Sequence, residues 1–420
     1  MRSLELRATV FPAALILVAV ACAQQTTAVL DPPATRVAAA TAVLDSPAVA
    51  AATAVAEPTV KTTQLTPEGS PPKVDTSIAS VSLDDIVFDT FRGGYIALSN
   101  ASDATIERLR DVIKPIYEPR YDTAAGGDWL NDDDIVLAFP SASGAFAYPV
   151  KMLNLHEIVN DVIDGVPVLV SYCPLCASGV VYSRELDGET LLFGNTSALF
   201  ESDMVMYDHQ TGSYWFQVLG EAIVGSLTGK RLEMLPSVMV TWGQWKRQHP
   251  DTRVLSRNLG LLTGGPGNPY DRDPFVGYQQ RVNQGAFIFP VTEEKLDGRL
   301  SPGEMVFAVQ VGESHKAYPL SGESDRVVND EVGGKRIVVI VRAAGPGAVA
   351  YMSQVGSREF AFRLSDGSVE DIETMSLWDD TGLAVSGPMA GAQLIQVPSR
   401  TSFWFSLVGA LPGIELHSSQ

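Results

Sequence analysis

From residue 78 onward the hydrophobic positions fall mostly in short runs, rich in branched and aromatic side chains and broken by turn residues. Ile135–Phe139, Val166–Tyr172, Gly179–Arg184 and Thr190–Phe193 predict strands. Asp187-Gly188 is the turn of a hairpin between the last two, because both residues tolerate the left-handed backbone such a turn requires. Helical spacing is confined to a few places. One helix starts at Ser102 or Asp103, carries Ile106, Leu109 and Ile113 on one face and stops at Pro115. A short one covers Lys151–Val159. A third starts after Ser237 as N-cap and places Val238, Trp242 and Trp245 together before Pro250; a counterpart starts after Ser399.

The pattern repeats itself. Tyr148-Pro149 recurs as Tyr318-Pro319, and Val159-Asn160-Asp161 as Val328-Asn329-Asp330. Val166–Val170 recurs as Arg336–Ile340, Gly179–Tyr182 as Ala348–Tyr351, and Phe193 as Phe362. Further on, Asp208 with Thr211-Gly212 matches Asp379 with Thr381-Gly382, and Leu235-Pro-Ser237 with Trp242 matches Val397-Pro-Ser399 with Trp404. The expected fold is therefore mainly β (α+β): two tandem copies of one β-rich fold with a few short helices. The copies span 78–257 and 298–420, joined by a Gly/Pro-rich segment at 258–297. Trp242 and Trp404, at matched positions, are core anchors.

The N-terminus follows another pattern. Arg2 and Arg7 precede an apolar run, Ala8 to Ala21, too short to span a bilayer and suited to a secretory signal peptide over residues 1–21. Ala19-Val20-Ala21-Cys22 resembles a lipobox in which Cys22 is lipidated, with Ala19 where Leu is usual; Ala21-Cys22-Ala23 offers ordinary cleavage instead. Residues 22–77, rich in Ala, Thr, Val and Pro, hold the small repeat Thr27–Ala34 and Thr41–Ala48 and lack the large side chains that offset ordering entropy. They predict a disordered tether. The expectation is an extracytoplasmic protein, either a membrane-anchored lipoprotein or secreted.

Composition narrows the partners. With 30 Lys and Arg against 49 Asp and Glu, the net charge of -19 repels phosphate backbones and excludes nucleic acid. No nucleotide cofactor is expected: the Gly-rich stretch near 264–267 lacks a Gly-Lys-Ser/Thr ending, and no dinucleotide fingerprint occurs. Membrane contact through the lipid anchor is expected, and no protein partner is identified.

Residues kept in both copies serve the fold, whereas reactive residues found in one copy are free to serve function. Cys173 and Cys176, in Cys-Pro-Leu-Cys, stand opposite Arg342 and Gly345; His156 and Glu157 stand opposite Asp325 and Arg326. Asn160, Asp161 and Asp208 are retained and read as structural. A strand followed by a Pro-containing turn resembles a metal-binding knuckle more than the helix N-terminus that activates a redox thiol. The chain holds 3 Cys, so a site of four cysteines is excluded. Zinc held by Cys173, Cys176 and His156, with Glu157 beside them as partner or general base, is the leading expectation. Copper is the second, because thiolates and thioethers favour Cu(I), and Met204 and Met206 share a face of a strand. His209 points to the other face and is a weaker ligand candidate, as are the two methionines. His249 is placed at the surface, and His315 and His417 carry no signal. The rival functions are an extracytoplasmic thiol–disulfide oxidoreductase using the same pair, and a scaffold with a structural disulfide.

Five motifs together carry a family resemblance: Leu155-His-Glu-Ile-Val-Asn-Asp161; Tyr172-Cys-Pro-Leu-Cys176; Met204-Val-Met-Tyr-Asp208 with Gln210-Thr211; Gly229–Pro236 with Trp242; and His249-Pro250-Asp251-Thr252. The chain resembles DUF3179, a prokaryotic domain family of unknown function, closely over 100–290 and loosely beyond. The family pattern has Trp before the His, Gly after the second Cys and Arg after Tyr-Asp, where this chain has Leu155, Ala177 and His209. The resemblance implies no activity.

Overall fold

The computed structural model describes residues 66–262, 267–289, 291 and 296–418. The expected signal peptide, Cys22 and the tether up to residue 65 lie outside the described residues. The described chain is mainly β, with five short α-helices, none long and apolar enough to cross a membrane. Val166–Cys173 and Ser178–Ser183 are buried along nearly their whole length, which explains why their hydrophobic runs are continuous rather than alternating.

Two strand arrangements occur twice. Ile135–Ser141 and Gly144–Pro149 form a hairpin; Val238–Thr241 joins the first antiparallel and Arg253–Leu255 joins the second parallel. Met305–Val311, Ser314–Pro319, Ser399–Phe403 and Glu415–Leu416 have the same order and directions. Likewise Ile158–Ile163, Val166–Cys173 and Ser178–Ser183 form an antiparallel trio, as do Arg326–Val332, Lys335–Val341 and Ala348–Met352. The two regions share one sheet, in which Ser178–Ser183 meets Ser399–Phe403 through Gly179 and Thr401.

Side-chain bonds recur with the strands. Asn160 exchanges two hydrogen bonds with the backbone of Phe193, and Asn329 does the same with Phe362. Asp208 accepts from Thr211 and from the Trp215 indole; Asp371 accepts from Thr374 and from the Trp378 indole. The counterpart of Asp208 is thus Asp371, and the expected match with Asp379 is corrected. The true match is hidden because Met375, with φ 60°, occupies the left-handed position that Gly212 fills at φ 71°. Asp379 caps a separate turn with Thr381.

The helices differ from expectation at their ends. Asp103–Leu109 is capped by the Ser102 hydroxyl as predicted but stops before Ile113, because Asp111 turns away to exchange backbone and side-chain bonds with Asn195. Val150–His156 ends at Glu157, whose φ of 60° breaks the helix three residues early. Ser237 is not an N-cap: Val238–Thr241 is a strand paired with Ile135–Ala138, and the helix Trp242–Gln248 is capped by Thr241. Ser399–Phe403 is likewise a strand before the helix Trp404–Ala410. Trp242 and Trp404 are buried, as expected of core anchors. The joining segment is not bare loop, since Tyr278–Asn283 is helical and packs Tyr278 and Val282 onto the core around the cysteines.

Candidate metal centre

Cys173 is the last residue of its strand, and the chain reverses through Pro174, Leu175 and Cys176 before Ser178 starts the next strand. Ala177 completes the reversal with φ 49°. This is the strand-and-turn knuckle predicted, with no helix behind it. Both thiols are free and buried. The hairpin Phe193–Phe200 and Asp203–Asp208 folds over the turn and lowers Asp203 onto the sulfurs. The Cys173 and Cys176 sulfurs and an Asp203 oxygen all lie within 4.8 Å of one another. Cys176 Sγ also donates to the Ser202 carbonyl at 2.9 Å.

The region after residue 298 closes the site. The Phe403 backbone N–H donates to the Cys176 carbonyl at 2.7 Å. The Ser178 and Ser406 hydroxyls each donate to Asp203 Oδ2 at 3.4 Å, and the Met204 N–H donates to Asp203 Oδ1 at 2.6 Å. Every partner of Asp203 here is neutral.

His156 is not brought to the sulfurs. Its Nδ1 lies 2.6 Å from the Lys114 carbonyl and its Nε2 lies 2.7 Å from the Tyr270 hydroxyl, so both ring nitrogens are engaged elsewhere. It holds the joining segment against the first region, and Asp203 stands where His156 was expected. Glu157 does lie at the centre: it accepts from Asn195 Nδ2 at 2.6 Å. Met204 Sδ receives a second, weaker contact from Asn195 Nδ2 at 3.4 Å, and Met206 is packed in the surrounding core. His209 points away as expected, with Nε2 2.9 Å from the Tyr117 hydroxyl. His249 is partly buried against Trp245 rather than at the surface, its ring centroid 4.0 Å from the indole.

Burial shapes the protonation of the cluster. It pushes the Asp203 carboxyl up to about 7 and the Glu157 carboxyl up to about 8, with the charge of nearby Asp203 adding to the latter. It also pushes the Cys173 thiol well above its ordinary range and raises that of Cys176. Without a cation the four groups hold their protons near neutrality. A divalent metal would displace those on the sulfurs and on Asp203 and supply the missing positive charge.

A cavity of about 200 Å³ reaches Cys173, Glu157, Asn195 and Met204. The backbone around the centre is strained: Glu157, Ala177, Ser197, Glu201 and Ser202 all have φ between 49° and 63°. Each costs on the order of 1–3 kcal/mol, which the surrounding packing must offset. Asp203 and Asn195 escaped the sequence reading. The available signal was spacing, since fifteen positions separate Phe193 from Asp208 but only nine separate Phe362 from Asp371. The six extra residues of the first hairpin contain the stretch that brings both side chains in.

Among known proteins, the family model described as "Protein of unknown function (DUF3179)" matches residues 110–412. No curated protein and no solved structure matches the chain.

Proposed function

The chain belongs to the DUF3179 family, whose description carries no activity, and on that premise we propose that it is a transition-metal-binding protein with Cys173, Cys176 and Asp203 as ligands. The observation carrying this reading is the buried convergence of two sulfurs and a carboxylate to which, among the described residues, no cationic side chain is hydrogen-bonded. Two thiolates and one carboxylate suit zinc, and three protein ligands leave a fourth position for a water or a small molecule. Glu157, beside that position and with a carboxyl that titrates near neutrality, is placed to take up or deliver a proton. Copper(I) is the second metal to test, since Met204 reaches the same cavity. The dithiol-exchange alternative is disfavoured because an attacking thiol needs a lowered pKa, and burial raises both of these.

The reading extends to place and origin. Export with Cys22 as a lipid anchor would put the centre outside the cytoplasm. An internal duplication, in which only the earlier copy kept the ligands, accounts for the recurrent strand order and bonds.

The test is metal content and free-thiol titration of the purified full chain, alongside Cys173→Ser, Cys176→Ser, Asp203→Asn and His156→Gln. The expected result is about one metal ion per chain. It is lost in both cysteine variants, weakened by about 10–100-fold in Asp203→Asn, and kept in His156→Gln. A protein that stays metal-free in zinc and Cu(I), with a pair that cycles at an oxidoreductase potential, establishes the exchange enzyme instead. An unreactive disulfide establishes the scaffold.

A further inference from the structure

We propose that the cavity beside the centre takes a small, uncharged, largely apolar molecule with one polar head, the head meeting Glu157 and the open side of the metal. The inference rests on the metal reading only for the head; the walls act without it. At about 200 Å³ the cavity exceeds the roughly 150 Å³ at which an apolar protein cavity holds benzene, so it accommodates a six-membered ring with a short substituent. Its walls are Ile113, Leu175, Leu199, Phe275 and Phe289, with Phe91 at the side. Of its polar groups, Glu157, Cys173 and Asn195 are those of the metal centre, while the Ser197 hydroxyl donates to the Leu109 carbonyl and Asp89 accepts from the Phe91 N–H, so the centre is the place for a polar end.

Charge selects further. Among the described residues no Lys, Arg or His lines the cavity, and the ionisable carboxyls there are Glu157 and Asp89. An anion would meet carboxyl groups and no described counter-charge, while a neutral head carries no charge that must be paired there. The mouth is apolar as well: Phe91 and Ile288 are 48% and 44% exposed. Two chain segments meet there, with the Tyr95 hydroxyl donating to the Ile288 carbonyl at 2.9 Å and its ring 4.6 Å from that of Phe289. Such a rim suits an aromatic or short aliphatic body and gives a sugar few partners.

The test uses the full chain, both metal-free and zinc-loaded, titrated at pH 7 with benzyl alcohol, benzoate and glycerol by calorimetry and ligand-observed NMR. Benzyl alcohol should bind saturably in both arms, at least about tenfold tighter than benzoate, with glycerol silent. Zinc should tighten benzyl alcohol further. Ile113→Trp, which fills the cavity from a partly buried wall position, should abolish binding while leaving metal content unchanged. Phe91→Ser at the exposed mouth should weaken it several-fold and keeps the test open if the first variant does not fold. If the metal reading alone is wrong, binding persists and zinc adds nothing. Absence of saturable binding in both arms, or benzoate binding as tightly as benzyl alcohol, overturns the proposal.

Discussion

The region 135–255 and the region 305–416 solve the same folding problem with the same strands and bonds, yet at the matched turn one holds buried acids and thiols and the other holds ion pairs. Where the first has Cys173, the second has Arg342, which bonds Asp325 at 2.7 Å and clasps Asp380. Where the first has Cys176 beneath Phe403, the second has Gly345 beneath Thr241, and a Cβ at 345 would sit 2.8 Å from Thr241 Cγ2. Arg326 stands at the position corresponding to Glu157, and Asp203 has no counterpart, because the shorter hairpin turns at Asp366-Gly367 before reaching that far. A carboxylate with an arginine beside it is satisfied and inert. A carboxyl with two thiols and hydroxyls beside it is satisfied only when protonated or when bound to a cation. The difference between the regions is therefore one of compensation, and it separates what builds the fold from what builds the centre.

The sharpest test of that separation is a matched pair of core deletions. Trp215 and Trp378 are both buried, and each donates its indole N–H at 2.9 Å to the aspartate of its own region. Trp215→Ala and Trp378→Ala should each destabilise by about 3–5 kcal/mol in urea unfolding, with similar values for the two. A cost confined to Trp215 would mean that the later region is not built on the same core and would break the comparison.

Much of this was legible in the sequence, for physical reasons that also explain the failures. The strands around Cys173 and the knuckle were visible because continuous branched runs, a proline and a tight turn encode their local geometry. Asn160 and Asn329 were correctly read as structural because each cross-links neighbouring strands in its own region. Val238–Thr241 was misread as helix because Val238, Trp242 and Trp245 fit helical spacing, while the strand partner that overrides it, Ile135–Ala138, lies about a hundred positions away. His156 was attractive because the matching position of the later region lacks it, but absence from one region does not specify direction. A ring on the last turn of a helix that ends at Glu157 points to the joining segment and Tyr270. Asp203 was invisible because a carboxylate in a hairpin has no motif of its own, and its role depends on six extra residues whose effect is purely three-dimensional.

The next effect is a pH dependence with opposite signs in the two regions. In the unfolded chain Glu157 and Asp203 lose their protons in the ordinary carboxylate range, near 4.5 and 3.8, whereas in the folded metal-free protein they keep them to about 8 and about 7. Between about pH 4 and 8 the folded state binds more protons, so its stability falls as the pH rises through that window. The raised thiols extend the fall above it. The expected loss is several kcal/mol, since each group contributes about 1.4 kcal/mol per pH step over which only the folded state holds its proton, and Asp203→Asn or Glu157→Gln should flatten it. Asp325 has the reverse sign. Although burial pushes its carboxyl up, the Ala343 N–H and Arg342 hold it below the ordinary range, so its contribution is present above that range and lost as the pH falls. Chemical unfolding of the metal-free protein at pH 5 and pH 8 checks the first, and the same measurement at about pH 3 and pH 5, with Asp325→Asn as control, checks the second. Zinc should invert the first slope, because its binding releases protons. Equal slopes in Asp203→Asn, Glu157→Gln and the parent would remove the buried acids from the account.

The smallest effect sharpens the comparison most, because it probes a bond that both regions make in the same way. The Tyr182 hydroxyl donates to the Gln217 carbonyl and the Tyr351 hydroxyl to the Asp380 carbonyl, each at 2.8 Å. Each ring is packed over a glycine, Gly220 and Gly382, where a Cβ would come within 2.6 Å of the ring. Both glycines have positive φ, so neither position accepts a larger residue, and the rings cannot be shifted without loss of the turn. Tyr182→Phe and Tyr351→Phe keep the packing and delete one neutral hydrogen bond, so each should cost about 1 kcal/mol, a little more where the carbonyl is left dry. Metal content should be untouched in both. Gln217 also donates to Ser171 and accepts from Ser178, the residue that bonds Asp203. If Tyr182→Phe instead lowered metal affinity while Tyr351→Phe did not, the tyrosine of the first region would belong to the centre's support through Gln217, and the line between fold and centre would have to be drawn one layer further out.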